Sequence, residues 1–502
     1  MIRVRNLVNW IVGLSCFSLF AWIIEPHTVA AEKSRPENVR ANNRPTQLCP
    51  QELPGAIEKI VNRPKLARSR WGIEIQTQTG KSLYSLNQNK FFTPASAIKL
   101  MISAAALFEL GADYQIKTAA YGVGSSPHLT SLRLEGKGDP SISTKSLKDI
   151  VHQLQLNGIE RIENLIIDDS YFAPPTINPT WEWLDVHSYF ATAVNSTILN
   201  QNTATLTLLP QQIGQPVKFF WNDAIAAKQW QVINQATTGK ADIDYAIELD
   251  GDLGKPVLRL LGELAVNEPP DVWDLAVVDP PQYFLDSLRS QLERSGITVN
   301  RGTIINQTRQ YQSETELAAI YSPPLTEILA EINQESNNLY AEVLGKLLAK
   351  ELKAKTSIDA INQSLAKIGV PADEYVLVDA SGLSRQNLVA PQTLVKVLSL
   401  MSRSPRSSSK QSIMAKSYRQ SLAIAGISGT LKRRFRDTPI QNKLWGKTGT
   451  LTGVGSLAGY LAPNRHPPLV FCIIVNNSDL ESSKIRQAID EIIVILNNLH
   501  QC

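Results

Sequence analysis

The sequence predicts an α/β chain in which helices flank a sheet and a long, mostly-β insertion interrupts them. Three observations predict it. Residues 71–75 and 81–86 alternate apolar and polar side chains around a Thr79-Gly80 turn and run into a helical stretch that Gly111 ends. From about residue 118 to Gly302 the texture changes to short β-runs separated by turn residues. After Gly302 helical spacing returns at 325–332 and 339–352, and the chain closes with an apolar strand over 469–475 and an amphipathic helix over 482–499. Residues 47–117 and 303–502 are thus expected to form one body around an insertion at 118–302.

The chain begins with Arg3 and Arg5, then an apolar run from Leu7 to Ile24, then small residues at Val29-Ala30-Ala31. This is the pattern of an export signal over residues 1–31. If it were retained, it would hold the protein at the membrane surface, since the run is just long enough to span a bilayer. Residues 32–46 are polar and read as a linker. The 502 residues are 43% hydrophobic and 19% charged, an ordinary globular balance, and the net charge is +4. That charge is too small to argue for nucleic acid, and neither a basic patch interleaved with aromatics nor a Gly-rich phosphate loop is present. The six histidines are scattered without metal-ligand spacing, so no metal and no cofactor is expected. Beyond the leader, Cys472 lies inside an apolar run and reads as a buried thiol, whereas Cys49 and Cys502 flank the folded region and can pair in an exported protein.

After a short helix and the hairpin comes Thr93-Pro94-Ala95-Ser96-Ala97-Ile98-Lys99-Leu100. Thr93 is expected to cap a helix and Pro94 to take its first position, which places Ser96 in the first turn. Ser96 and Lys99 are three apart and share a face, so the amine can take the hydroxyl proton if burial or a second cation keeps it neutral. Unpaired first-turn amides can also face an oxyanion. Taken alone, the pair reads as a capped helix with an ordinary serine and a surface lysine, since Ser-x-x-Lys occurs by chance in most chains this long.

The insertion shows β-runs at 132–134, 161–167, 204–209, 217–221, 242–249 and 257–260, with no fixed-length repeat. Between the two helices that follow lies Gln334-Glu335-Ser336-Asn337-Asn338, a break that can aim Ser336 and Asn338 into a cleft or merely cap helix ends. Further on, Ala380-Ser381-Gly382-Leu383-Ser384-Arg385 forms a polar loop. Leu444-Trp445-Gly446-Lys447-Thr448-Gly449-Thr450 then reads as an edge strand, where Gly449 would let a substrate backbone come close.

Ser-x-x-Lys, Ser-x-Asn and Lys-Thr-Gly are each weak, but here they occur in order on a helix, an inter-helix loop and a late strand. In that combination the chain resembles the class C, low-molecular-mass penicillin-binding proteins, the D-alanyl-D-alanine carboxypeptidase/endopeptidase family. The resemblance extends to Gly138-Asp139-Pro140, Asp168-Asp169-Ser170-Tyr171-Phe172, Asp379-Ala380-Ser381-Gly382-Leu383-Ser384-Arg385 and Gly429-Thr430-Leu431, and departs mildly at Ala380, where that family often has glycine.

The resemblance implies a serine penicillin-binding/β-lactamase-like fold, with a five-stranded antiparallel sheet flanked by helices and interrupted by inserted domains. It implies Ser96 as nucleophile on the penultimate D-alanine of peptidoglycan stem peptides and Lys99 as base. Ser336 would relay the proton to the leaving D-alanine, and Asn338 would hold the substrate amide and Lys99. Lys447 would lower the Lys99 pKa and, with Thr448, anchor the terminal carboxylate beside Gly449. The amides of Ser96 and Thr450 would bind the oxyanion. β-Lactam antibiotics would acylate the same serine, and the site of action would be the periplasm or cell envelope. The alternatives are a β-lactamase of the same fold and an inactive peptidoglycan-binding protein. Gly-x-Ser-x-Gly is absent, which argues against an α/β-hydrolase.

Overall fold

The structure, a computed structural model, describes residues 47–502 apart from 253, 308, 310–312 and 403–408. The leader expected at 1–31 and the linker at 32–46 lie outside the described residues. Six strands form the main sheet in the order Ala423–Ile424, Leu444–Leu451, Val454–Leu461, Leu469–Asn476, Arg70–Thr77 and Ser82–Leu86, each antiparallel to its neighbour. The expected count was five. The sixth strand is only two residues long, too short for any periodicity to announce it.

Every residue of the Leu469–Asn476 strand is buried. Phe471, Ile473 and Val475 pack with the helices Leu53–Val61 and Ser482–Asn497 on one face. Val470, Cys472 and Ile474 pack on the other with Lys99–Leu110, Leu325–Asn333, Asn338–Glu351 and Pro391–Ser402. A strand covered on both faces must be apolar at both parities, which is why 469–475 shows no alternation. Burying such side chains stabilises by roughly 1.5–3 kcal/mol each, so this three-layer arrangement fixes the sheet on which the site is built.

The insertion carries a five-stranded mixed sheet in the order Thr298–Ile305, Arg161–Asp168, His128–Glu135, Lys117–Ser125 and Thr315–Tyr321. Two helices that the sequence reading did not identify, Thr144–Leu156 and Pro280–Arg294, cover it through Leu147, Ile150, Leu154, Tyr283, Phe284 and Leu288. The first of them is the crossover that the parallel pairing of His128–Glu135 with Arg161–Asp168 requires. The edge strand Thr315–Tyr321 lies beyond residue 302, so this sheet takes chain from past the point where the texture changes. A smaller body between residues 203 and 276 has its own core around Leu206, Trp230, Leu258 and Leu260. The strand expected over 242–249 is confined to Glu248–Gly251, paired with Val257–Leu261.

Cys49 and Cys502 form a disulfide with their Cα atoms 5.8 Å apart, and Leu48 bridges to Leu499 beside it. Cys472 is a buried free thiol.

Candidate active site

The turn that carries Ser96 is more constrained than a capped helix. Ala95 has φ +49°, Ala95–Ile98 is a 3₁₀ turn, and the α-helix starts only at Lys99. Thr93 does not cap it. Its amide instead donates to Asn476 Oδ1 at 2.8 Å and its hydroxyl to the Arg385 carbonyl at 3.3 Å, so the segment is tied to the end of the central strand and to the polar loop. Two glycines wedge the turn. A Cβ on Gly382 would meet the Ala95 carbonyl oxygen at 2.2 Å, and one on Gly449 would meet Ser456 Oγ at 2.3 Å and the Pro94 carbonyl oxygen at 2.7 Å. The space that a side chain at Gly449 would take is therefore filled by Ser456 and the Pro94-Ala95 segment, a correction to the sequence-based reason for that glycine. Because residues three apart eclipse in a 3₁₀ turn, the arrangement sets Lys99 over Ser96. Lys99 Nζ donates to Ser96 Oγ at 2.8 Å.

The break between Leu325–Asn333 and Asn338–Glu351 supplies the facing wall. Ser336 takes φ +64°, and Asn337 caps the second helix through the Tyr340 amide at 3.2 Å. This frees Asn338, the first helical residue, to reach the cleft. Its Oδ1 accepts from Lys99 Nζ at 2.6 Å, and its Nδ2 donates to the Phe190 carbonyl at 2.8 Å. Ser336 Oγ accepts from Lys447 Nζ at 2.8 Å, and Lys447 also donates to the Thr448 carbonyl at 2.7 Å.

The short Ala423–Ile424 strand pairs only with Trp445 and Gly446, so the outer edge of Leu444–Leu451 is uncovered by strand from Lys447 onward. Leu444 offers its carbonyl to Ala425 on that outer side. By the two-residue period the main-chain groups of Thr448 and Thr450 point to the open edge as well. The Thr448 hydroxyl donates to that of Thr430 at 2.9 Å, and Arg419 stacks 4.0 Å from the centroid of the Trp445 ring. Two hydrogen-bonded groups, Ser96–Lys99–Asn338 and Ser336–Lys447–Thr448, thus face one cleft close enough for the Lys99 charge to act on Lys447, with Gly449 beneath the Ser96 turn and Thr450 along the same edge.

Lys99 and Lys447 are both fully buried. Burial brings the Lys99 amine down to about 7, against the opposing pull of the Asp379 and Glu342 charges. Lys447 is pushed well below the ordinary lysine range, first by burial and then by the charge of Lys99, with Glu335 opposing. Burial, rather than the neighbouring ammonium, is the principal cause of the shift at Lys99.

Several groups here had no assigned role in the sequence. Lys99 Nζ also donates to the Ser381 carbonyl. Asp379 gathers that loop, accepting from the Gly382 and Ser384 amides at 2.7 Å each and from Trp181 Nε1 at 3.0 Å. Trp181 and Phe190 lie within residues 118–302, and no local pattern marks them as neighbours of Asp379 and Asn338, which stand 198 and 148 residues further along the chain.

Residues 53–496 match the D-Ala-D-Ala carboxypeptidase 3 (S13) family. A D-alanyl-D-alanine carboxypeptidase of Actinomadura sp. (strain R39) is 30% identical over 449 residues, covering 85% of this chain and 81% of that protein. A penicillin-sensitive carboxypeptidase A of Dictyostelium discoideum is 27% identical over 493 residues, covering 89% and 92%. The crystal structure of penicillin binding protein 4 from Haemophilus influenzae superposes with a TM-score of 0.78 at 25% identity, covering 88% of this chain and 98% of that one. With a family match that spans nearly all of the described residues, the chain belongs to the D-Ala-D-Ala carboxypeptidase 3 (S13) family and is a serine-type D-Ala-D-Ala peptidase.

Proposed function

We propose that the protein is exported, and that Ser96 attacks the penultimate D-alanyl carbonyl of peptidoglycan stem peptides to form an acyl-enzyme that water then releases. The observation that carries this is a fully buried lysine amine within hydrogen-bond reach of the Ser96 hydroxyl. With the Lys99 amine held near neutral pH, it can accept the Ser96 proton as Oγ attacks. The developing oxyanion would be met by the Ser96 amide and by the Thr450 amide on the open strand edge. Asn338 holds Lys99 in place and can receive the substrate amide. Ser336, backed by Lys447, is positioned to pass a proton to the departing D-alanine amine, while Lys447 and Thr448 would take the terminal carboxylate. Where a cross-link presents the same D-alanyl carbonyl, the chemistry is unchanged and only the leaving amine differs.

A β-lactam would acylate the same oxygen. The name of the penicillin-sensitive Dictyostelium discoideum relative supports this arm of the proposal. Export is supported by the leader pattern of residues 1–31 and by the Cys49–Cys502 disulfide, which needs an oxidising compartment. Among the described residues no helix is long and apolar enough to cross a membrane.

The test is intact-protein mass after brief exposure to penicillin, with peptide mapping and a parallel assay of D-alanine release from a D-Ala-D-Ala peptide. A lasting adduct on Ser96 with D-alanine release is expected, and Ser96→Ala should show neither. Penicillin destroyed without a lasting adduct would instead indicate a β-lactamase. Inertness toward both compounds would indicate a silent wall-binding protein.

A further inference from the structure

We propose that Glu342 is a positioning residue for this reaction, a buried carboxylate that holds the Ser381 carbonyl against the Lys99 amine and tunes that amine through its charge. Glu342 lies four residues after Asn338 on the same helix, so both side chains project from one face toward the cleft. Its Oε1 accepts from the Ala380 amide at 3.0 Å and the Ser381 amide at 2.9 Å. The carbonyl of that same Ser381 accepts from Lys99 Nζ. One carboxylate oxygen therefore grips the backbone unit that contacts the base, while Glu342 forms no direct ion pair with Lys99 within 4 Å. It acts through Ser381 and through the field.

The surroundings separate Glu342 from the other acid in the loop. Asp379 receives donors on both oxygens: Gly382 and Asn387 on Oδ1, Ser384 and Trp181 on Oδ2. It is a saturated structural anchor. Glu342 is 8% exposed and is held by the Ala380 and Ser381 amides on Oε1 and by the Ser381 side chain, so its donors come only from the two residues whose backbone it positions. The charged groups facing it are Lys99 from the neighbouring helix, Lys346 from its own helix and Asp379 from the loop, with Lys447 on the strand beyond Lys99. Burial and the Asp379 charge push Glu342 up to about 7, the range to which Lys99 is brought down. An ionised Glu342 favours the ammonium form of Lys99, so removing its charge lets Lys99 become neutral at lower pH.

The inference rests on the reading of Lys99 as the base. Its test measures the pH dependence of penicillin acylation in wild type, Glu342→Gln and Glu342→Asp, with the adduct mapped in each. Gln keeps an oxygen for the two amides and removes the charge. The acid limb of acylation should move to lower pH by about one unit while the plateau rate at alkaline pH stays within about threefold. Asp keeps the charge but retracts it from the amides, so the limb should remain and the plateau should fall by about 100-fold, the usual penalty for misplacing a catalytic group by an ångström. A Ser96 adduct in all three proteins with superimposable pH profiles would overturn the role of Glu342 and leave the nucleophile assignment intact. Absence of a Ser96 adduct in wild type would overturn the underlying reading instead. Should Glu342→Gln fail to fold, the unchanged or lowered plateau of Glu342→Asp still decides the positioning claim.

Discussion

The two walls of the cleft present the same pair of groups, a buried lysine amine 2.8 Å from a serine hydroxyl, yet they are built from different materials. The Ser96–Lys99 wall is a single 3₁₀ turn entering a helix, backed by Glu342 and Asp379. The Ser336–Lys447 wall joins an inter-helix loop to an open strand edge, and of the acidic groups only Glu335 pulls its lysine toward the charged form. Identical contacts therefore acquire different chemistry from their surroundings. Lys99 is poised near neutrality and suits proton transfer. Lys447 is disfavoured as an ammonium by its burial and gains most when an anion such as a peptide carboxylate pairs with it.

The largest effect expected from breaking this asymmetry comes from Lys99→Ala, which removes the base and should slow acylation by about 10²–10⁴-fold. In wild type the corresponding signature is a rate that rises with pH through about 7, because Lys99 must lose its proton to act. An acylation rate that is flat across this range would erase the distinction between the walls. A smaller effect is expected from Lys447→Ala, which should lower kcat/KM for a D-Ala-D-Ala peptide about 10–100-fold, the cost of one charge-assisted hydrogen bond. Comparing the free acid with its carboxamide sharpens the assignment, since the variant should lose the preference for the acid. An equal loss for both would put Lys447 in proton transfer rather than carboxylate binding. The smallest effect on chemistry should follow reduction of Cys49–Cys502, which ties the segment before the helix Leu53–Val61 to the segment after Ser482–Asn497, on the other face of the sheet. Thermal melting should reveal a loss of about 2–5 kcal/mol while the acylation rate at 25 °C stays unchanged.

How far the sequence was legible follows the range of the interactions involved. The Ser96–Lys99 pair is three residues apart and sits in a segment whose helical character is local, so spacing alone foretold their contact. The strands at 469–475 and 444–450 were visible because burial on two faces or one leaves its period in the side chains. The helix Thr144–Leu156 carries Leu147, Ile150, Val151 and Leu154 at helical intervals, a local signal set between the short β-runs at 132–134 and 161–167. Thr93 does not cap because its hydroxyl turns to the Arg385 carbonyl while its amide is held by Asn476, both residues distant in sequence.

What the sequence by itself determined is the identity and order of the candidate groups that the structure brings to one cleft: Ser96 and Lys99, Ser336 and Asn338, Lys447 and Thr448, each carried by an element of recognisable local pattern. Only the tertiary structure decided their electrostatics and their supports. The left-handed Ala95 between Gly382 and Gly449, the Trp181 and Phe190 contacts from the insertion, and the Glu342 grip on Ser381 all join segments far apart in the chain. Burial of both lysines is likewise a property of the assembled layers. A periodic pattern records which way a side chain faces, whereas desolvation and the field at an amine depend on everything that packs around it.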